Sequence, residues 1–242
     1  MITSPHNQKL KTVRKLRERR RERERLGMFV AEGEDLLSAA DAAGWEPVER
    51  FASAGSGLPG IEVDAVALRS VSELASGTRT LAVYCERWLD AAALADFSGV
   101  CIYLHGLGDP ANVGAVLRSG AAFGAGCVAL GSGSADPFGP KAVRASMGAV
   151  FSVALVRADP ASLPGVKLAL DAHAPRPLAA VAAELRGAEA ISLMVGAERE
   201  GLGADLIAHA EHSARIPIAT ESLNAATAAA IALYELSMVG NS

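Results

Sequence analysis

Asn112 and Arg118 stand six residues apart in the run from Leu104 to Gly126, LHGLGDPANVGAVLRSGAAFGAG. An apolar strand, Val100 to Leu104, empties into a loop carrying Asp109, Pro110 and Asn112, and a helix-like stretch bearing Arg118 follows. An amide and a guanidinium among glycines and alanines at a strand-to-helix turn suit an anionic or polyhydroxylated substrate. By itself the segment fits an ordinary strand–helix junction with a surface arginine equally well.

Two later segments add chemistry. In Leu193 to Gly203, LMVGAEREGLG, a buried strand ends at Gly196 and Glu198 lies two residues into a glycine-rich loop. Its carboxylate can hold an arginine or bind hydroxyls, whereas Glu200 reads as a polar loop residue. In Ile216 to Ile231, IPIATESLNAATAAAI, a loop ends in Ser222 and Asn224, both helix-capping types. Six alanines between Ala225 and Ala232 leave a helix face that other backbone can approach closely. Capping explains one of Ser222 and Asn224, not both together with that face.

Rival sites fail on spacing. Gly106-Leu107-Gly108 would need a third glycine at Ala111, and Gly131-Ser132-Gly133 one at Asp136, so neither completes a dinucleotide fingerprint. No phosphate loop and no GxSxG elbow is present. His6, His105, His173, His209 and His212 lack metal spacing and read as surface or satisfied histidines. Cys85, Cys101 and Cys127 are odd in number, and the last two sit in apolar runs as buried thiols. No metal site is expected.

The elements that must position these residues follow from patterning. The chain has 242 residues, half of them apolar, enough for a substantial core in one large or two small domains. No apolar run reaches membrane-spanning length, and the start is basic rather than a signal peptide, so a cytoplasmic protein with no membrane contact is expected. Residues 1–25 hold ten Lys/Arg against three Glu, although the whole chain carries a net charge of -4. A basic arm on an acidic body points to a polyanion, with Lys9, Lys11, Arg14, Lys15 and Arg19 as candidate RNA contacts. A solvated charged helix with i,i+4 pairs is the competing explanation. Aromatics are only 5%, which argues against a base-stacking platform.

Residues 1–97 read as a small α/β unit: the basic helix as an N-terminal arm, short strands near 28–33, 48–51, 62–65 and 80–84, and a linker at Ala91–Ser98. Residues 98–242 alternate near-continuous apolar strands (100–104, 127–130, 151–156, 167–171, 190–195, 214–218) with helices. That pattern predicts a doubly wound parallel sheet covered on both faces. Ligands in such sheets bind beyond the carboxyl ends of strands, where Asn112, Gly196, Glu198, Ser222 and Asn224 all fall.

In these three segments the chain resembles the SpoU/TrmH family of RNA 2′-O-ribose methyltransferases. Asn112, Gly114 and Arg118 match the family's NxGxxxR motif; Gly196 and Glu198 match its strand followed by GxE. Pro217, Ser222, Leu223, Asn224 and Ala225 match its third motif, and Asp136 to Gly148 resembles the segment between the first two. The loop Ala219-Thr220-Glu221 is shorter and lacks the glycines many members carry. FVAEGEDLL resembles the family's accessory substrate-binding domain. The resemblance implies a deep trefoil knot in the C-terminal part, a rare exception to ordinary topology, and usually a homodimer with the site near the interface. It implies S-adenosylmethionine held by Ala172, Gly196, Ile216, Leu223 and Asn224. It also implies a catalytic set of Arg118, Asn112, Glu198, Ser222 and Asn224 acting on structured RNA, ribosomal ahead of transfer RNA.

The chemistry constrains the roles. Transfer brings a developing alkoxide toward a sulfonium, so alignment and exclusion of water supply much of the acceleration. A guanidinium yields its proton only far above neutral pH, which favours Arg118 as stabiliser of the alkoxide over a role as base. Glu198 is expected to hold Arg118, with Asn112, Ser222 and Asn224 fixing the ribose and the loop. Two alternatives share the motifs: a non-catalytic RNA-binding relative, and an enzyme conferring antibiotic resistance by methylating ribosomal RNA.

Overall fold

A computed structural model describes residues 1–242 except 75, 76, 199, 221, 241 and 242 and the side chains of 239 and 240. Arg199 and Glu221 of the motif loops thus lie outside the described residues.

The N-terminal half builds on a four-stranded sheet. Its strands are β1 (Met28–Glu32), β2 (Glu49–Ser53), β3 (Ile61–Val63) and β4 (Thr80–Cys85), in the order β1-β4-β2-β3. β4 runs antiparallel to β1 and β2, and β3 pairs parallel with β2. Four helices accompany it: α1 (Gln8–Glu18), α2 (Arg20–Leu26), α3 (Glu34–Ala42) and α4 (Ala65–Arg69).

The basic segment is not a detachable arm. Leu10, Val13 and Leu16 recur on one face of α1 and are fully buried against Phe51, Leu68 and Leu81. Extended backbone at Arg19 (φ -126°, ψ 108°) breaks what the sequence suggested was one helix. Arg23 of α2 is itself buried. Its guanidinium pairs with Asp136 at 2.8 Å and donates to the carbonyls of Leu16 (2.7 Å) and Arg17 (3.3 Å). A buried charge stripped of its partner costs about 3 kcal/mol or more. Arg23→Ala should therefore lower the free energy of unfolding by about that much in urea titration, against well under 1 kcal/mol for the exposed Arg21→Ala.

The C-terminal half holds six strands: β5 (Gly99–Leu104), β6 (Cys127–Leu130), β7 (Ala154–Arg157), β8 (Val166–Leu170), β9 (Ala190–Val195) and β10 (His212–Ala214). They form one sheet, β10-β8-β9-β5-β6-β7, with every pairing parallel. The helices are α5 (Pro110–Ala122), α6 (Pro140–Ala145), α7 (Leu178–Glu184), α8 (Ala204–Ile207) and α9 (Ala225–Gly240). β10 ends at Ala214, short of the predicted 214–218, where its partner β8 ends at Leu170; the Arg215 N–H donates instead to the Arg176 carbonyl at 2.9 Å. The start of the predicted 151–156 strand is instead a 3-10 turn over Ala149–Phe151.

Alternation along the strands sends Ile102, Leu104, Val128, Leu193 and Val195 into a core shared with α5, α7 and α9. Cys101, Tyr103, Cys127, Ala129 and Met194 point the other way, against Leu94, Leu163 and Leu206. Cys101 and Cys127 are register partners with sulfurs 3.7 Å apart, fully buried. Their shared hydrogen bond, with burial, pushes the Cys101 thiol up, so it stays protonated. Within the predicted linker, Ala91–Ser98, residues Ala91–Asp96 form a 3-10 helix capped by Asp90, with Leu94 fully buried.

Candidate active site

β5 and β9 are parallel neighbours, with Leu104 paired to Val195. The loops that follow them therefore leave the sheet at the same edge, side by side. The first enters α5, where Asp109 accepts from the Ala111 N–H at 2.9 Å and Pro110 takes the first turn. Asn112 sits in that turn, 9% exposed. The second loop turns back on itself at once: Gly201 N–H donates to Ala197 at 2.9 Å, and a Cβ on Gly196 would lie 2.2 Å from the Gly201 backbone. Only glycine fits there, and the reversal presents Glu198 to Asn112.

The two meet directly. Asn112 Nδ2 donates to Glu198 Oε1. Asn224 Nδ2 completes a triangle, donating to Asn112 Oδ1 at 3.1 Å and lying 3.3 Å from Glu198 Oε1. Asn224 Oδ1 accepts from the N–H groups of Ala226 (3.0 Å) and Thr227 (3.1 Å), capping α9. One asparagine thus starts a helix and ties it to the carboxylate, which explains why capping alone did not account for the segment. Asn112 is buried, while Glu198 and Asn224 face solvent.

Beside this triangle opens a cavity of about 450 Å³. Ala172, Gly196, Ile216 and Leu223 line it together with Glu198 and Ser222; Asn224 is not part of the lining and meets it only through its contact with Glu198. The walls also include Asp171, His173 and Glu200, which the sequence offered no reason to select. Asp171 Oδ1 accepts from the His173 N–H at 2.9 Å, an ordinary turn contact that leaves no distinct sequence signal. Glu200, read as a plain loop residue, therefore faces the cavity. His105 is satisfied by the Tyr103 hydroxyl at 3.1 Å. Among the described residues no group of three or more His, Cys, Asp and Glu is placed to hold a metal ion.

Arg118 departs from expectation. It lies on α5 about 9 Å along the axis from Asn112 and on another face, exposed to solvent. Among the described residues it makes no ion pair with Glu198, whose partners are Asn112 and Asn224 instead. Gly114, also in that motif, serves packing: a Cβ would lie 2.3 Å from the Ala142 carbonyl oxygen where α5 crosses α6.

The candidate RNA contacts divide. Lys11, Lys15 and Arg19 are exposed. Lys9 pairs with Glu49, and Arg14 is half-buried and donates to Ser70. No helix among the described residues is long and apolar enough to cross a membrane.

Comparison with known proteins adds a decisive observation. The SpoU rRNA Methylase family profile matches residues 99–234, more than half of the chain. The chain belongs to the SpoU rRNA methylase family. The profile of an MRM3-like substrate binding domain matches residues 7–83. A 23S rRNA (guanosine(2553)-2'-O)-methyltransferase of Bacillus subtilis is 30% identical over 253 residues, covering 97% of this chain and 98% of that relative. An uncharacterized tRNA/rRNA methyltransferase of Mycobacterium tuberculosis is 35% identical over 187 residues, 71% of this chain, and the match spans 56% of its own length. An AdoMet-bound rRNA methyltransferase from Sinorhizobium meliloti superposes with a TM-score of 0.87 at 25% identity, covering 98% of this chain and 97% of its own. The α/β fold with its parallel six-stranded sheet is thus that of SpoU methyltransferases.

Proposed function

We propose that this chain transfers a methyl group from S-adenosylmethionine to a ribose 2′-hydroxyl of ribosomal RNA. The observation that carries this reading is the triangle of Asn112, Glu198 and Asn224 at the mouth of the 450 Å³ cavity. That volume lies in the range of small-molecule and cofactor sites. The apolar walls from Leu170, Ile216 and Leu223, with the carboxylates of Asp171, Glu198 and Glu200, suit a nucleoside that carries a cation. Ala172, Gly196, Ile216 and Leu223 would hold it, with Asn224 alongside. When bound, S-adenosylmethionine supplies an electrophilic methyl group on a sulfonium.

The protein's own part is placement. Glu198, fixed by two amides, and Ser222 on the cavity wall bind ribose hydroxyls without large rearrangement. Arg118 stabilises the alkoxide as the proton leaves to water. Because it stands away from Glu198 in its own chain, we assign it to a site completed in a homodimer. Tyr234 and Met238, exposed on α9 at 49% and 55%, support association through that helix.

The same reading divides the chain into an accessory RNA-binding unit, 1–97, and a catalytic unit, 98–242, with the knot in the latter and a cytoplasmic location. It is tested by incubating the protein with methyl-labelled S-adenosylmethionine and undermodified ribosomal RNA, then digesting the RNA to nucleosides. Label in one 2′-O-methylated nucleoside is the expected result. RNA binding with no label transferred would favour a non-catalytic RNA-binding relative.

A further inference from the structure

We propose that a second cavity, between the accessory unit and the catalytic sheet, receives a phosphodiester of the substrate RNA beside the nucleotide being methylated. The inference rests on the function proposed above. The cavity measures about 330 Å³ and is walled by the loop Gly131–Pro137, Trp88, Arg20 and Arg157. That loop follows β6, so the cavity opens at the same carboxyl edge of the sheet as the polar triangle, where parallel sheets bind ligands.

The two sites share a wall. Gly106 N–H donates to the Ser132 carbonyl at 2.9 Å, and Ala135 N–H donates to that of Leu107 at 2.9 Å. A Cβ on Gly106 would in turn lie 3.4 Å from the Ala197 methyl, and Ala197 precedes Glu198. The walls between the second cavity and the ribose-facing carboxylate are therefore only two loops thick, a separation that neighbouring nucleotides of one strand can span.

Its charges favour a phosphate. The Arg157 guanidinium lies over the Trp88 indole, 4.5 Å from the ring centroid, and makes no ion pair among the described residues. Stacking fixes the plane of its donor fork, the geometry that grips a phosphate. Among the described residues Arg20 is paired only with Glu24, and both side chains are about half exposed, a contact weak enough for a phosphate to displace. The acidic groups nearby are compensated. Asp136 is held by Arg23 at 2.8 Å, and Glu86 accepts from Trp88 Nε1 at 2.8 Å, with burial pushing its carboxyl up. Ser132 adds an exposed hydroxyl at the rim.

The test compares wild type, Arg157→Gln and Arg157→Lys for binding of undermodified 23S ribosomal RNA over a range of salt. Arg157→Gln should raise the RNA Kd about fivefold at low salt and reduce the salt slope by about one, the value for one lost phosphate contact. Arg157→Lys should restore the slope, and S-adenosylmethionine affinity by calorimetry should match wild type in both variants. A wild-type Kd and slope for Arg157→Gln would overturn the proposal. So would failure of Arg157→Lys to restore the slope, or competition by a free 5′-mononucleotide as effective as the RNA itself. Absence of RNA binding by the wild-type protein would instead overturn the functional reading on which this one stands.

Discussion

Arg118→Ala should lower kcat for ribose methylation by about 10²–10³-fold, as loss of one oxyanion-stabilising donor does, while S-adenosylmethionine affinity stays within twofold. The side chain is exposed on α5 and takes no part in the triangle around Glu198 or in the lining of the 450 Å³ cavity. Its loss should therefore leave cofactor binding and folding intact and, in the role proposed for it, remove charge stabilisation only where the alkoxide develops. Arg118→Lys should recover little, because a point charge does not reproduce the planar fork. Mixing Arg118→Ala with Glu198→Ala distinguishes action within one chain from action across a dimer. If Arg118 serves its partner's site, random exchange restores about a quarter of the sites, since half the dimers are mixed and each carries one intact site. No recovery would place Arg118 in its own chain's site; an unchanged kcat in the single variant would remove it from the mechanism.

The second large effect is expected for Asn112→Asp. The substitution keeps the shape of a buried side chain but replaces the donor facing Glu198 with a second carboxylate. Like charges at hydrogen-bond distance cannot both ionise cheaply, so one pKa rises above its unfolded value of about 4. A group raised in this way favours folding only while protonated. The penalty is therefore absent at low pH and grows as pH climbs through the raised value. At pH 7 it should reach about 1–2 kcal/mol, reduced from a fully buried pair because Glu198 faces solvent. Denaturant titrations at several pH values would show the variant approaching wild type near pH 4. Methylation at pH 7 should fall about a hundredfold with the loss of carboxylate placement. Asn112→Ala, which loses the hydrogen bonds without adding charge, should show no such pH dependence, and a pH-independent deficit in Asn112→Asp would refute the account.

Much of the fold was legible because parallel strands buried on both faces read as unbroken apolar runs, and each of the six in the second half was found within a few residues. The site was legible for a related reason: parallel neighbours deliver their following loops to one edge, so Asn112, Glu198 and Asn224 converge although 86 and 112 residues separate Asn112 from the other two. What sequence could not give was the pairing among them. Asn112 holding Glu198 is a matter of where a backbone reversal at Gly196 points one carboxylate, and charge alone suggested Arg118 instead. Glu200 and His173 escaped because polar loop residues look alike until a cavity wall is drawn. The basic segment misled in another way. Its charge density concealed Leu10, Val13 and Leu16 at core spacing, together with an arginine whose role is to bridge two halves of the chain.

That bridge is one part of a wider seal. Phe29, Trp45 and Tyr84 from the first sheet's unit stack against Phe138 and Phe151 from the second, with centroids as close as 4.7 Å between Phe29 and Phe138. Trp45 Nε1 adds a hydrogen bond to the Phe151 carbonyl at 2.8 Å. Five of the chain's eleven aromatics are committed here rather than displayed for bases. Two modules on a loose tether search for a target within a cloud of allowed distances. On the function proposed above, a welded pair would act instead as a caliper, whose jaws admit only RNA in which the docking surface and the target ribose lie one fixed span apart. Selection of a single nucleotide would then become a measurement of length, made when the protein folds rather than when it binds.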